Sequence, residues 1–185
     1  MEDFCANHCT LKEDGLYNNK TGARVRALGV VHVFGNMADM PRLLDIARRY
    51  KLILIEDATE ALGTRYTAGP LAGKAAGTMG DIGCYSFNGN KIITTGAGGF
   101  VVSNHADWAE HAKHLSTQAK ADMLQFLHDE VGYNYRMTNV QACLGLAQLE
   151  RLEGFVETKK ALYDQYKRCS GRRTRPSYSA VQRGI

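Results

Sequence analysis

The chain has 185 residues, of which 44% are hydrophobic and 23% are charged, and it contains 19 glycines. These proportions are those of an ordinary globular protein and exclude the disordered, collagen-like and disulfide-scaffold classes. The length favours one domain with a substantial core. No apolar run approaches the roughly 18 residues that a membrane helix needs, and the N-terminus lacks the pattern of a secretory signal. We therefore expect a cytoplasmic protein with no membrane partner.

The formal net charge of +4 is concentrated at the C-terminal end of the chain. Residues 167–185 contain six lysines and arginines and no acidic residue. The remainder is close to neutral, with 17 basic and 19 acidic residues, so a nucleic-acid partner is not expected. The sequence predicts a folded region over 1–166 and a basic tail over 167–185, and we expect the tail to be disordered.

The five cysteines form no CxxC pair, and their number is odd. A disulfide framework is therefore not expected, and free thiols are the prediction. Cys5, His8 and Cys9 are near enough in sequence to suggest a metal site. Because nothing downstream supplies a second ligand pair at zinc spacing, we predict no metal.

The first regular elements indicate a strand–helix–strand unit. Residues 25–34 are rich in β-branched and apolar side chains and predict a buried strand. A helix follows over about 39–50, with Asp39 as N-cap and Pro41 in the first turn. The apolar run 52–55 predicts a second buried strand. Two such strands joined by a helix are typical of a sheet covered on both faces, so the fold class is α/β.

Past a glycine-rich loop, the pattern returns to short strands and then to helices. Thr138 and Gln141 fit a capping box at the start of a long helical stretch, in which apolar residues recur at helical spacing. The remaining predicted elements are strands over 81–87 and 99–103, a helix over 106–115 and one long helix over 140–166.

Two residues in this framework point to a specific chemistry. Asp57 directly follows a buried strand, where polar side chains of α/β sheets tend to face the ligand crevice. Lys91 lies 34 residues later, in a stretch rich in glycine, serine and threonine. Pyridoxal phosphate requires this combination, because a lysine binds its aldehyde and an acid holds its pyridine nitrogen protonated. Ser86 and the nearby glycine amides are suitable donors for the phosphate.

The residues alone leave another interpretation open. Asp57 would also serve as a helix N-cap or a turn carboxylate. The run FNGN at 87–90 would also form a tight hairpin turn, which would leave Lys91 in water.

Four longer motifs carry further information: IEDATEALG at 55–63, GDIGCYSFNGNK at 80–91, TTGAGG at 94–99 and VGYNYRMTNVQACLGLAQLERL at 131–152. Together they resemble the DegT/DnrJ/EryC1/StrS family of pyridoxal-phosphate-dependent aminotransferases, which act on nucleotide-linked keto sugars. The resemblance covers about residues 25–166, and the wording of EDATEALG and STQAK is most similar to the branch serving legionaminic acid and related 4-amino sugars. It implies part of the large domain of fold type I transferases, a mixed sheet flanked by helices.

The resemblance also implies a role for each matching residue. Lys91 is the lysine that binds the cofactor aldehyde and shuttles the proton. Asp57 pairs with the pyridine nitrogen, and Glu60 matches a position that contacts the side of the ring bearing the hydroxyl. Ser86 matches a phosphate ligand, and Asn134 matches a phosphate ligand donated by the neighbouring subunit. The active site is then shared within a homodimer.

The reaction implied is an amino transfer in two stages. L-glutamate is the expected donor, and the acceptor is the keto carbon, at C4, of a nucleotide-linked deoxy sugar used in surface polysaccharide biosynthesis. A dehydratase relative with the same cofactor is disfavoured, because such proteins usually replace the lysine and Lys91 is present.

The chain also departs from the family pattern. Typical members are about twice as long, and the segments expected before and after the motifs, including a small C-terminal domain, have no counterpart here. The pattern stops near Arg168. The competing expectation is therefore a catalytically inert fragment that folds or associates without turnover.

Overall fold

The structure, a computed structural model, describes residues 1–122 and 124–170, and the chain divides into two compact units. The first unit comprises Met1–Cys84 and Val102–His105, and the second comprises Tyr85–Val101 and the residues from Ala106 onward. The predicted folded region over 1–166 thus contains two units, which we describe separately.

The first unit begins with elements that the sequence analysis did not predict. A short helix is followed by three strands, which pair antiparallel in the order β1-β2-β3. Glu2 of the helix accepts hydrogen bonds from Arg42 and Arg49, and both Cys5 of the helix and Leu16 of the second strand are buried. The elements are α1 (Glu2–Asn7), β1 (Cys9–Lys12), β2 (Gly15–Asn18) and β3 (Arg24–Val25).

The predicted strand–helix–strand unit is present. It consists of β4 (Ala27–Val31), α2 (Met40–Arg49) and β5 (Ile53–Asp57), and the two strands pair in parallel. Asp39 caps α2 by accepting a 3.3 Å hydrogen bond from the amide of Arg42, and Pro41 lies in the first turn. The local signals therefore placed this helix correctly.

The first predicted strand is shorter than expected. Of the predicted strand over 25–34, Val25 belongs to β3 of the smaller sheet, β4 spans only Ala27–Val31, and Val33–Gly35 form a short 3-10 helix. Phe34 has a φ of 54° and Gly35 a φ of 77°, both in the left-handed region. A bulky residue is costly in this conformation, so the turn must be held by its surroundings.

Two further strands complete the larger sheet. They are β6 (Ile82–Ser86) and β7 (Gly99–Ser103), and the sheet order is β4-β5-β6-β7. The β5–β6 pair is parallel. Phe87 bonds to Gly98 at one end of the last two strands and Ser103 bonds to Asp81 at the other, so β7 runs antiparallel. The prediction of an α/β fold with a mixed sheet and flanking helices is confirmed.

The second unit is mainly helical, and one prediction for it is wrong. The expected single helix over 140–166 is two helices, separated at Glu150 and Arg151. The amide of Arg151 bonds to the carbonyl of Gln148, a tighter spacing than in an α-helix, and no glycine or proline marks the break in the sequence. The elements are α3 (Ala106–Ser116), β8 (Lys120–Asp122), β9 (Leu127–His128), α4 (Asn139–Leu149) and α5 (Leu152–Ser170).

The capping box is confirmed, because the Thr138 hydroxyl accepts from the Gln141 amide while the Gln141 side chain accepts from the Thr138 amide. Residues 167–170, the first part of the predicted basic tail, continue α5, and the rest of the tail lies outside the described residues.

The hydrophobic core lies largely in the first unit. The buried apolar side chains of the first unit include Leu16, Leu28, Met40, Ile46, Leu52, Leu54, Ala58, Ala61 and Tyr66, and those in the described part of the second are Phe87, Ile93 and Ala119.

The helices of the described residues include none with the length and apolar character that a membrane span requires.

Candidate functional site

Asp57 lies at the carboxyl end of β5, as predicted. It is half-buried, and its Oδ1 accepts a hydrogen bond of 3.1 Å from the amide of Thr59. Cys84 is its partner on the parallel neighbour β6. Burial, and then the charge of Asp57, raise the pKa of the Cys84 thiol. The Asp57 carboxylate is therefore near the end of the parallel strands, where ligands of such sheets bind.

The residue before Asp57 belongs to a buried polar cluster that the sequence analysis did not identify. Glu56 and His32 are both fully buried, and His32 Nε2 lies 2.9 Å from Glu56 Oε2. Glu56 also accepts hydrogen bonds from three backbone amides within 77–80. A signal was available, since Glu56 directly continues the apolar run 52–55 of the predicted buried strand, and a buried carboxylate needs partners.

Glu60 holds the strained turn that follows β4. Its Oε2 accepts a 2.7 Å hydrogen bond from the amide of Phe34. The Thr64 hydroxyl donates a second stabilising hydrogen bond to the same turn, to the carbonyl of Gly35 at 3.0 Å. Phe34 is 84% exposed. The carboxylate assigned by resemblance to a cofactor contact thus also stabilises a left-handed backbone conformation.

Ser86 and Lys91 lie in one segment of the second unit. The Ser86 hydroxyl accepts from the amide of Asn88 at 3.3 Å, which leaves its own proton available for donation. The Lys91 amide donates to the carbonyl of Asn88 at 3.0 Å, so residues 88–91 form a turn. The Asn88 bridge to Gly96 is parallel, which is not the arrangement of a hairpin. Lys91 is half-buried rather than fully in water.

The stretch that follows Lys91 is anchored by a residue that the sequence analysis missed. The side chain of Gln148 in α4 accepts from the amide of Thr94 at 3.1 Å and donates to its carbonyl at 2.5 Å. The Thr94 hydroxyl donates to the carbonyl of Phe87 at 3.0 Å. These three bonds fix the backbone on either side of Lys91. No local signal identifies Gln148, because its partner lies 54 residues away in the sequence.

Asn134 lies on a short extended segment that pairs antiparallel with Thr117. Its neighbours Tyr133 and Tyr135 bond to the backbone of 115–118 and stack with ring centroids 5.2 Å apart. A Cβ on Gly132 would lie 2.5 Å from the amide nitrogen of Ala119, so only glycine permits this approach. Asn134 itself is exposed.

The predicted site residues are thus distributed over both units. Asp57 ends β5 and Glu60 follows it in the first unit, while Ser86, Lys91 and Asn134 belong to the second. The structure does not test the chemical roles assigned to these five residues, which stay predictions.

Possible metal ligands occur in two places. Cys5 and Cys9 are buried thiols, and all five cysteines are unpaired. In the second unit, the donor atoms of His114, Asp129 and Glu130 lie within 4.8 Å of one another. His114 Nε2 and Asp129 Oδ1 are only 2.6 Å apart, which is the length of a direct hydrogen bond. This hydrogen bond from His114 lowers the pKa of Asp129, so these two donor atoms already bond to each other.

The donor groups fit pyridoxal phosphate by their chemistry. A primary amine is needed for the aldehyde, a carboxylate for the pyridine nitrogen, and hydroxyl or amide donors for the phosphate. The residues predicted for these three roles are Lys91, Asp57 and Ser86, and each carries the required type of group. The Ser86 hydroxyl retains a proton for donation, and the Asp57 carboxylate is oriented by the Thr59 amide.

A family model and individual relatives both match this chain over most of its length. The family model described as "DegT/DnrJ/EryC1/StrS aminotransferase family" matches residues 6–174. A "GDP-perosamine synthase" of Escherichia coli O157:H7 is 43% identical over 145 residues, covering 78% of this chain and 38% of the relative. A "UDP-4-amino-4,6-dideoxy-N-acetyl-beta-L-altrosamine transaminase" of Campylobacter jejuni is 34% identical over 149 residues, covering 80% of this chain and 38% of the relative.

Among solved structures, the aminotransferase TlmJ from Streptoalloteichus hindustanus superposes with a TM-score of 0.72 at 30% identity. The match covers 80% of this chain and 40% of that protein. The chain spans about two fifths of the length of these relatives. The fold is accordingly that of the pyridoxal-phosphate-dependent aminotransferases of fold type I. The chain belongs to the DegT/DnrJ/EryC1/StrS aminotransferase family.

Proposed function

We propose that the chain is the cofactor-binding part of a pyridoxal-phosphate-dependent sugar aminotransferase. The observation that carries the proposal is the position of Asp57 at the carboxyl end of a parallel strand, within the motif that matches the family. An anion at this place favours the protonated form of a pyridine nitrogen. When bound, pyridoxal phosphate supplies the electron sink for amino transfer.

Lys91 is the proposed covalent attachment point and proton carrier. Its Nζ is a primary amine on a half-buried residue, in a loop held by the Asn88 turn and by Gln148. A neutral amine in a partly desolvated place takes a proton from one carbon and returns it to another. Rigid backbone on both sides of Lys91 favours a fixed path for that proton.

The other proposed residues bind and orient the cofactor. Ser86 donates its hydroxyl proton to the phosphate, and Glu60 faces the side of the ring that carries the hydroxyl. Asn134 donates to the phosphate of a neighbouring subunit in a homodimer, and the exposure of this residue is what such a contact needs.

The proposed substrates follow from the names of the relatives. One relative is a GDP-perosamine synthase, and the name of another specifies a UDP-linked 4-amino sugar. We therefore propose a nucleotide-linked keto sugar as acceptor, with amination at C4, and L-glutamate as donor. The product serves surface polysaccharide biosynthesis, in the cytoplasmic location expected from the sequence.

The test is a covalent trap on the purified chain. Pyridoxal phosphate is added, the visible absorbance is recorded, borohydride reduces any adduct, and the modified peptide is identified by mass spectrometry. We expect one adduct, on Lys91. Lys91→Ala should abolish the absorbance and the adduct, whereas Lys74→Ala, at an exposed lysine, should change neither. An adduct on other lysines, or none, contradicts the proposal for this chain.

A second candidate is a fragment that folds or associates without turnover. The observation in its favour is that neither α4 nor α5 has a buried residue, so these helices lack the packing that usually stabilises a helix. Absence of the Lys91 adduct, together with concentration-dependent association of the chain, would favour this candidate.

A further inference from the structure

The core of the first unit contains two ionisable side chains that the proposed chemistry does not use. His32 follows β4, and Glu56 lies on the neighbouring strand β5; both are 0% exposed. Removing a carboxylate from water costs several kcal/mol unless its oxygens find donors. The buried carboxylate of Glu56 is therefore stable only because each of its two oxygens accepts hydrogen bonds.

Every oxygen of Glu56 is engaged by donors. Oε2 accepts from His32 Nε2 at 2.9 Å and from the Gly77 amide at 2.8 Å. Oε1 accepts from the amides of Met79, at 2.6 Å, and Gly80. Burial acts to raise the pKa of Glu56, but the hydrogen bonds from His32 and from these amides together lower it. The side chain is a carboxylate, since a protonated acid would meet four donors with one of its own hydrogens.

The same contacts fix the state of His32. Its Nδ1 accepts a hydrogen bond from the Ala38 amide at 3.3 Å, so that nitrogen carries no proton. Nε2 must then carry the proton and donate it to Glu56. The ring is neutral and held in one tautomer. A proton on Nδ1 would face the N–H of Ala38, so that two donors would point at each other.

The pair joins three segments next to Asp57. The His32 amide donates to the carbonyl of Asp57 at 3.0 Å. Glu56 draws the loop 77–80 against the sheet, where a Cβ on Gly83 would lie 1.8 Å from the carbonyl oxygen of Gly77. The loop enters β6 at Asp81, whose carboxylate accepts from the Leu54 amide at 2.7 Å.

We propose that His32 and Glu56 are positioning residues for the Asp57 carboxylate. They hold the end of β4, the end of β5 and the loop before β6 in register, and so set the place of Asp57 beside Cys84. The inference rests on the proposed function, because Asp57 is a cofactor residue only there. Neither His32 nor Glu56 contacts the cofactor in this proposal.

The test needs no cofactor, so its outcome is independent of the Lys91 trap. Cys84 is the probe, because burial and then the Asp57 charge raise its pKa and slow its reaction with thiol reagents. Cys5, which is buried elsewhere in the same unit, is the internal control. Labelling rates of both cysteines are measured by peptide mass spectrometry in the wild type and in variants.

Three variants and one control distinguish the possible outcomes. Glu56→Gln presents an amide to four donors, and His32→Leu removes the ring donor and acceptor. In both we expect labelling of Cys84 to be about tenfold faster with Cys5 unchanged, a difference of roughly 1.4 kcal/mol. His32→Gln retains a donor and an acceptor and should restore the wild-type rate. Glu110→Gln makes the same chemical change at an exposed site of α3 and should have no effect.

A measurement on the wild type covers the case in which a variant fails to fold. Ring ¹⁵N shifts should show His32 neutral, with its proton on Nε2. A proton on Nδ1 or a charged ring overturns the proposal. So does a parallel rise in the labelling of Cys5 and Cys84, which indicates general destabilisation, or an unchanged rate for Cys84 in Glu56→Gln.

Discussion

The two units of the chain differ in how they are stabilised. The first contains most of the buried apolar side chains, together with the hydrogen-bonded buried pair of His32 and Glu56. In the described part of the second unit, only Phe87, Ile93 and Ala119 are buried apolar residues, and helices α4 and α5 contain no buried residue. The first unit therefore contains its own core, and the second presents apolar side chains that require a further surface.

This difference predicts which substitutions affect stability most. Leu54 of β5 is 1% exposed and Leu146 of α4 is 59% exposed. We expect Leu54→Ala to lower the free energy of unfolding by about 2–5 kcal/mol, because it leaves a cavity. Leu146→Ala should cost less than about 0.5 kcal/mol. Urea unfolding of both variants gives the comparison, and equal losses would mean that α4 is covered in solution.

Acid should weaken the first unit through Glu56. Although burial opposes it, hydrogen bonding lowers the pKa of Glu56 from its ordinary 4.5. The ionised carboxylate thus contributes stability above pH 4.5, and this contribution is lost as the pH falls through the lower folded-state pKa. The protection factor of the 52–58 peptide, which compares its hydrogen exchange with the intrinsic rate at the same pH, should fall below that pH in the wild type. In Glu56→Gln the protection of this peptide should depend less on pH. A profile identical to that of the wild type would contradict the assignment of Glu56 as the titrating group.

The exposed face of α4 should promote association of the chain. Val140 and Leu144 lie one turn apart and are both exposed. Replacing both with lysine should weaken self-association by about tenfold, measured by analytical ultracentrifugation. The control is Glu153→Gln with Glu157→Gln on α5, which changes the net charge by the same amount without removing apolar surface. A wild type that is monomeric at all concentrations contradicts this expectation.

The smallest expected effect concerns the start of α4. Thr138→Ala removes the capping hydrogen bond to the Gln141 amide and should cost about 1 kcal/mol of helix stability. The measurement is hydrogen exchange of the first turn of α4. Thr158→Ala removes a hydroxyl that donates to the carbonyl of Gly154 inside α5, where it caps nothing. If the two variants behave alike, the cap contributes no special stability.

Local sequence signals were sufficient for several features. Asp39 and Pro41 placed α2, Thr138 and Gln141 placed the start of α4, and apolar runs placed β5 and β7. Each of these depends on residues within a few positions of one another, where propensity and capping operate. The family motifs identified the family, because their order and wording are specific.

Only the tertiary structure decided the features that join distant residues. His32 meets Glu56 across 24 positions, and Gln148 meets Thr94 across 54. The break between α4 and α5 and the left-handed turn at Phe34 likewise have no local cause in composition. A sequence pattern reports which conformations a segment prefers. Which buried donor finds which acceptor depends on the path of the whole chain, because an unpaired polar group in a core costs more than a local preference contributes.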